Sequence, residues 1–238
     1  MDFSFFRSFG IVAVLALASC SGLKERGEES KQMVNPRTVN KLEATYKNPF
    51  SEGTYAHFVA RKDYPKTYDT YRNDALLKKQ GVQEKVIKIC LKEQRGRYYV
   101  DGQVAMDFPV STGIKKFPTN PGEYKVLEKS VDHESNLYGK IFNAEGKCIN
   151  GNAEITDPVP EGGRFEGSKM PYWQRLTGAG LGLHVGKVRR SPASHGCVRL
   201  QRETAKTLYD QTKVGSRVVI SEELESEATS LSVAMPSK

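Results

Sequence analysis

"KVIKICLKEQRGRYYVDGQVAMDFPV", residues 85–110, decides the fold class. In its first eight residues Ile87, Ile89 and Leu91 alternate with Lys88, Cys90 and Lys92, the period-two pattern of a half-buried strand. A turn at Gln94 to Gly96 leads into "RYYV", and Asp101-Gly102 then supplies a hairpin turn, because glycine tolerates positive φ. Val104, Met106, Phe108 and Val110 fall on one face of a third strand. Short strands joined by tight turns are antiparallel neighbours, so the domain opens as β-structure. On this pattern Cys90 belongs to the polar face with Lys88 and Lys92.

Toward the C-terminus the period changes. In "LQRETAKTLYDQTKVG", Ala205, Leu208, Tyr209 and Thr212 recur at helical spacing and Gly215 is placed to end the helix. "SRVVIS" follows as a last strand. The expected domain is mainly β, spans residues 85–222 and carries one clear helix, with residues 223–238 as a C-terminal tail. In the other direction, residues 21–84 read as a polar tether followed by a tyrosine-rich, irregular arm lying against the domain. Residues 1–20 have one basic residue, Arg7, and an apolar run from Gly10 to Ala18 that is short for a bilayer span. They read as an export signal. Leu17-Ala18-Ser19-Cys20 resembles the bacterial lipobox, which implies cleavage before Cys20, its lipidation, and a membrane-anchored protein of the periplasm or cell envelope; a plain secretory signal cleaved at small residues, or a short anchor, is the alternative.

The net charge of +8 favours an anionic partner. No run of several consecutive Lys or Arg and no nucleic-acid module accompanies it, which excludes a nucleic-acid footprint. The chemistry concentrates in "SPASHGCVRL", residues 191–200. There Cys197 follows His195 and Gly196 and precedes Arg199, and a further histidine lies upstream at His184. A thiol needs a base to become a thiolate at neutral pH, and imidazole has the suitable pKa. Gly196 lets the backbone turn sharply enough for its N–H and that of Cys197 to face one oxyanion. A metal site is disfavoured, because His184, His195 and Cys197 have no CxxC or HxxxH partner, and no cofactor motif is present.

"HVGKVRRSPASHGCVRL", residues 184–200, resembles the signature of L,D-transpeptidase catalytic domains, as do "FPVSTG" (108–113), "PTNPGEY" (118–124) and "MPYWQRLTGAGLGLHVG" (170–186). The resemblance implies a β-sandwich or barrel-like catalytic domain acting on the peptide stems of peptidoglycan, with Cys197 as nucleophile and His184 as proton donor and acceptor. Ser194, His195 and Gly196 then shape the cysteine turn. Arg199 either braces that turn through backbone carbonyls or binds a substrate carboxylate. Tyr172 and Met170 are placed at the substrate cleft, Tyr172 as an added hydrogen-bond donor. The implied reaction forms a Cys197 thioester, releases the terminal D-amino acid of a tetrapeptide and passes the acyl group to an amine. An L,D-carboxypeptidase would use water with the same residues, and a non-catalytic wall-binding lipoprotein would need no Cys–His pair. The polar stretch from Lys129 to Gly167 is expected to form an insertion or cover over the groove, with His133 in it solvated. With Cys20 lipidated and Cys197 free, Cys90 and Cys148 are left either as a disulfide pair or as two thiols.

Overall fold

The computed structural model describes residues 47–224. Cys20, the export signal, most of the tether and the C-terminal tail lie outside them. The elements in chain order are α1 (Tyr55–Val59), β1 (Tyr71–Arg72), α2 (Asp74–Leu77), β2 (Lys85–Cys90), β3 (Arg95–Val100), β4 (Gln103–Ser111), β5 (Gly122–Lys125), β6 (Glu128–Ser130) and β7 (Glu134–Phe142). They continue with β8 (Cys148–Glu154), β9 (Arg164–Lys169), β10 (Trp173–Arg175), β11 (Gly182–Val185), β12 (Val198–Leu200), α3 (Arg202–Gln211) and β13 (Arg217–Ser221). The fold is mainly β, as the opening stretch implies.

One curled sheet runs in the order β5-β13-β2-β3-β4-β12-β11-β10-β6, with β1 added beside β4. The hairpins β2–β3 and β3–β4 are antiparallel, and Asp101 takes the positive φ at the second turn together with Gly102. Two neighbouring pairs are parallel, β13 with β2 and β11 with β12. A parallel pair needs a crossover; between β11 and β12 it is the loop of residues 186–197, which carries the cysteine, while α3 leads from β12 to β13 and buries Thr204, Ala205 and Leu208. Ile87, Ile89, Met106, Phe108, Val110, Leu183, Val198 and Leu200 form the main core. Burying a side chain of this size is worth about 1.5–3 kcal/mol, so the alternating pattern of β2 and β4 is strongly specified.

The other face of β2–β4 is covered too, which the alternation did not foretell. Among the described residues regular structure is already present at Tyr55, thirty residues before Lys85, and the arm packs on this second face. Val86, Tyr99 and Val104 meet Tyr55 and Tyr71 there. Beneath them Asp107, with no exposure, accepts hydrogen bonds from Tyr55 Oη at 2.8 Å and Tyr64 Oη at 2.9 Å and pairs with Arg95 and Arg97. Arg95 also donates to the carbonyl oxygens of Thr67 and Asp69, so the guanidinium holds arm to sheet. Burial and the carboxylate push the Tyr64 phenol up to about 12, and the hydroxyl stays a donor at all working pH.

This second layer corrects two expectations. Cys90 is buried, not solvent-facing, with its Sγ against Glu222 O and the Glu93 N–H, each at 3.4 Å. Cys148 is exposed at the start of β8, in a different sheet, and both thiols are free. The disulfide alternative therefore fails: one sulfur is sealed inside the main sheet and the other projects from the rim. The stretch from Lys129 to Gly167 forms β7, β8 and most of β9, a three-stranded antiparallel sheet in the order β8-β7-β9. Among the described residues no helix is long and apolar enough to cross a membrane.

Candidate active site

The cysteine loop is held from below by the end of β4. Thr112 O accepts the N–H groups of Ala193 (2.8 Å) and Ser194 (3.0 Å), and Gly113 bridges to Ser194. Thr112 is itself gripped by buried Gln94, whose Nε2 donates to Thr112 Oγ1 at 2.7 Å and whose Oε1 accepts the Thr112 N–H at 3.0 Å. Thr119 Oγ1 accepts the Gly113 N–H at 2.8 Å and donates to Gly196 O. A Cβ on Gly113 would fall 2.1 Å from Phe117 O and 2.9 Å from Gly196 Cα, so only glycine admits this approach. Gly196 has φ 111°, the left-handed region that favours glycine. Buried Ser194 closes the turn: its Oγ donates to Cys197 O and accepts the Gly196 N–H at 3.1 Å. That bond occupies one of the two N–H groups expected at an oxyanion.

The parallel register of β11 and β12 pairs Leu183 with Val198 and His184 with Arg199. Strand side chains alternate. Leu183, Val198 and Leu200 therefore enter the core, while His184, Cys197 and Arg199 share the opposite face and line one cavity of about 1200 Å³. His184 is buried, and its Nδ1 lies 2.8 Å from Val185 O. A carbonyl oxygen only accepts, so Nδ1 carries the proton and Nε2 is the ring's acceptor. Burial lowers the His184 pKa to about 4; the Val185 bond opposes this, and Arg199 and His133 add to it. Burial pushes the half-buried Cys197 thiol up, against a Gly182 backbone hydrogen bond and the field of Arg199. The thiol donates to Gly180 O at 3.3 Å. At neutral pH the cavity therefore holds a protonated thiol and a neutral imidazole rather than an ion pair.

The three-stranded sheet walls the same cavity through Ser135, Leu137, Tyr138 and Lys140 on β7 and Glu166 on β9, so the expected cover is present. Its contact with the cysteine loop is aromatic. The His195 ring stacks on Tyr138, centroids 4.4 Å apart at 18°, and meets Phe117 at 4.8 Å. His195 so occupies the joint between loop and cover, and it also lines the cavity. Met170 lines it too. Tyr172 does not: at φ 55° its ring turns onto Tyr209 of α3, 5.7 Å away, and packs against the main core. The neighbouring Trp173 takes the cavity position instead, 6.0 Å from the His184 ring and flat against His133 at 4.8 Å and 13°. His133 is therefore a wall residue rather than a solvated one. Strand alternation within "PYWQR" places Tyr172 and Trp173 on opposite faces, but which face is inward depended on the partner strands.

Arg199 is half-buried, and its stem rests on Gly186, where a Cβ would lie 2.8 Å from Arg199 Cγ. Among the described residues its guanidinium has neither a carboxylate at ion-pair distance nor a hydrogen bond to a backbone carbonyl, so the bracing alternative is not what the structure contains. No group of three or more His, Cys, Asp or Glu placed to hold a metal occurs among the described residues. Gln94, Thr119, Trp173, His133 and Tyr138 were not singled out in the sequence as site residues. Each looks there like an ordinary turn or strand residue.

Comparison with known proteins follows the same outline. A family model described as "YkuD: L,D-transpeptidase catalytic domain" matches residues 84–220. A curated relative, "Probable L,D-transpeptidase 3" of Mycobacterium tuberculosis, is 29% identical over 121 residues, which cover 48% of this chain and 38% of that protein. Among solved structures, an L,D-transpeptidase from Mycobacterium smegmatis aligns with a TM-score of 0.45 at 23% identity, covering 58% of each chain. L,D-transpeptidase 3 from Mycobacterium tuberculosis aligns at 0.44 and 22%, covering 58% of this chain and 61% of that one. The chain thus spans less than two thirds of the length of these relatives. The family match extends over more than half of this chain, from the strand that opens the domain to the last strand of its sheet, and the chain belongs to the YkuD family of L,D-transpeptidase catalytic domains.

Proposed function

We propose that this protein is a cysteine-dependent L,D-transpeptidase acting on peptidoglycan stem peptides. The observation that carries the reading is that Cys197 and His184 line one cavity, together with Arg199, which has no ion-pair partner among the described residues. In the acylation step Cys197 Sγ attacks the carbonyl that follows the L-centre of the tetrapeptide's third residue. His184 Nε2 takes the thiol proton and returns it to the leaving nitrogen, so the C–N bond breaks, the terminal D-amino acid departs and a thioester remains. Since Ser194 Oγ already holds the Gly196 N–H, the oxyanion falls to the Cys197 N–H, a donor worth about 3–4 kcal/mol in acyl transfer. Arg199, two positions along the same strand face, is suited to the carboxylate of the departing residue.

The test is incubation with a disaccharide-tetrapeptide, with and without an amine acceptor, followed by mass analysis. Release of the D-amino acid with a cross-linked product is expected, and Cys197→Ala is expected to give neither product nor acyl-enzyme. Free tripeptide alone, in the presence of amine, would assign the carboxypeptidase reaction instead. We further propose that the protein works outside the cytoplasm, exported by residues 1–20 and anchored by lipid at Cys20. The lipobox-like Leu17-Ala18-Ser19-Cys20 supports this. Metabolic labelling with a fatty-acid probe should mark the wild-type protein and not Cys20→Ala.

A further inference from the structure

A second imidazole stands in the same cavity and no step above uses it. His133 lies between β6 and β7, at the root of the cover. Its backbone is fixed: His133 O accepts the Met170 N–H at 2.7 Å, Val131 O accepts the Tyr172 N–H at 2.9 Å, and Glu134 pairs with Lys169. Its ring is fixed as well, flat on Trp173, a side chain almost without exposure. Among the described residues neither ring nitrogen of His133 has a hydrogen-bond partner, yet the ring is only half-buried and lines the cavity. An imidazole stacked on Trp173, lining the cavity and with neither nitrogen engaged, is not explained by packing, which an aromatic hydrocarbon would serve as well. The charged groups that face it are Arg175 on β10, Glu128 on β6 and His184 on β11. Glu128 is already paired with Arg175 at 2.7 Å.

Resting on the transpeptidase reading, we propose that His133 is a further catalytic residue, the base that takes the proton from the incoming amine when the Cys197 thioester is resolved. The nitrogen lone pair of the acceptor adds to the thioester carbonyl carbon, and the C–S bond breaks with its electron pair on Cys197. The proton lost by that nitrogen passes to His133, which gives it to solvent; the Cys197 thiolate recovers a proton from solvent through His184. Each histidine then has one partner, His184 the sulfur and His133 the acceptor nitrogen. Protonation of either disfavours protonation of the other, because their fields couple across Trp173. Burial, with Arg175, lowers the His133 pKa and keeps the ring a neutral acceptor at neutral pH.

The experiment uses His133→Phe, which keeps a flat ring for Trp173 and removes both nitrogens, and His133→Gln as a second variant. Acyl-enzyme formation from the tetrapeptide is followed by rapid quench and intact mass, and its decay is divided between cross-linked and hydrolysed product at several concentrations of amine. Unchanged acylation of Cys197 in His133→Phe, with aminolysis slowed about 100-fold and hydrolysis therefore gaining in the product ratio, is the expected result. Wild-type aminolysis in His133→Phe would overturn the assignment and reduce His133 to a stacking residue. Equal loss of acylation and aminolysis in both variants would overturn it as well, placing His133 in the shape of the cavity. Absence of any acyl-enzyme on wild-type Cys197 would instead overturn the transpeptidase reading itself.

Discussion

At Cys197 and His184 the same burial acts in opposite directions, raising the thiol and lowering the imidazole toward about 4. The functional consequence is a pH profile displaced from that of a free histidine. Acylation should rise with pH through an acid limb near 4 and be flat across pH 6–8; a limb near 6.5, measured as kcat/KM against pH, would indicate a solvated imidazole. His184→Ala should lower the acylation rate by about 100-fold or more, read in the same assay. The sign for stability follows from linkage. A folded-state pKa below the ordinary 6.5 means that the unfolded chain binds the proton more readily. The contribution is therefore fully present above 6.5 and is lost as pH falls through the window from 6.5 to about 4. It amounts to about 3 kcal/mol. Denaturant titrations of wild type and His184→Gln at pH 7.5 and 4 should show a smaller acid loss in the variant.

Between elements, the decisive joint is the one linking the cysteine loop to β7. Phe117, His195 and Tyr138 form a short aromatic stack in which the cover rests on the residue two positions before the nucleophile. Such pairs contribute about 0.5–1.5 kcal/mol beyond burial. Tyr138→Ala should therefore weaken substrate capture by up to about tenfold in kcat/KM, while acylation of Cys197 by a small reactive thioester, which needs no cover, stays near wild type. The second joint runs Gln94–Thr112–Ser194. It was invisible in the sequence, because a glutamine in a turn reads as solvated, and only its 4% exposure and two bonds to Thr112 reveal the brace. The SHGC turn itself was legible, since its glycine and serine are adjacent in the chain to the thiol they position.

Across the whole molecule, one buried carboxylate fastens the arm to the sheet. Asp107 has no exposure and serves Arg95, Arg97, Tyr55 and Tyr64 together. Asp107→Ala leaves the buried Arg95 without its anion and Arg97 with Glu93 alone, a loss of about 3–5 kcal/mol. Thermal unfolding should shift down by about 10 °C, with activity per folded molecule retained because the cluster lies on the face of β4 away from Cys197. Thiol counting on denatured, unreduced protein should find Cys90, Cys148 and Cys197 all alkylatable, and only Cys148 fast in the native state. By itself the sequence determined what rests on local spacing: the β2–β4 hairpins, the helix after the cysteine and the glycine turn before the thiol. The tertiary structure decided what depends on contacts distant in the chain: the second covered face that buries Cys90, the choice of Trp173 over Tyr172 for the cavity, and the placing of His133 against it. Alternation states that two faces differ, and a single strand carries no mark of what will pack on either.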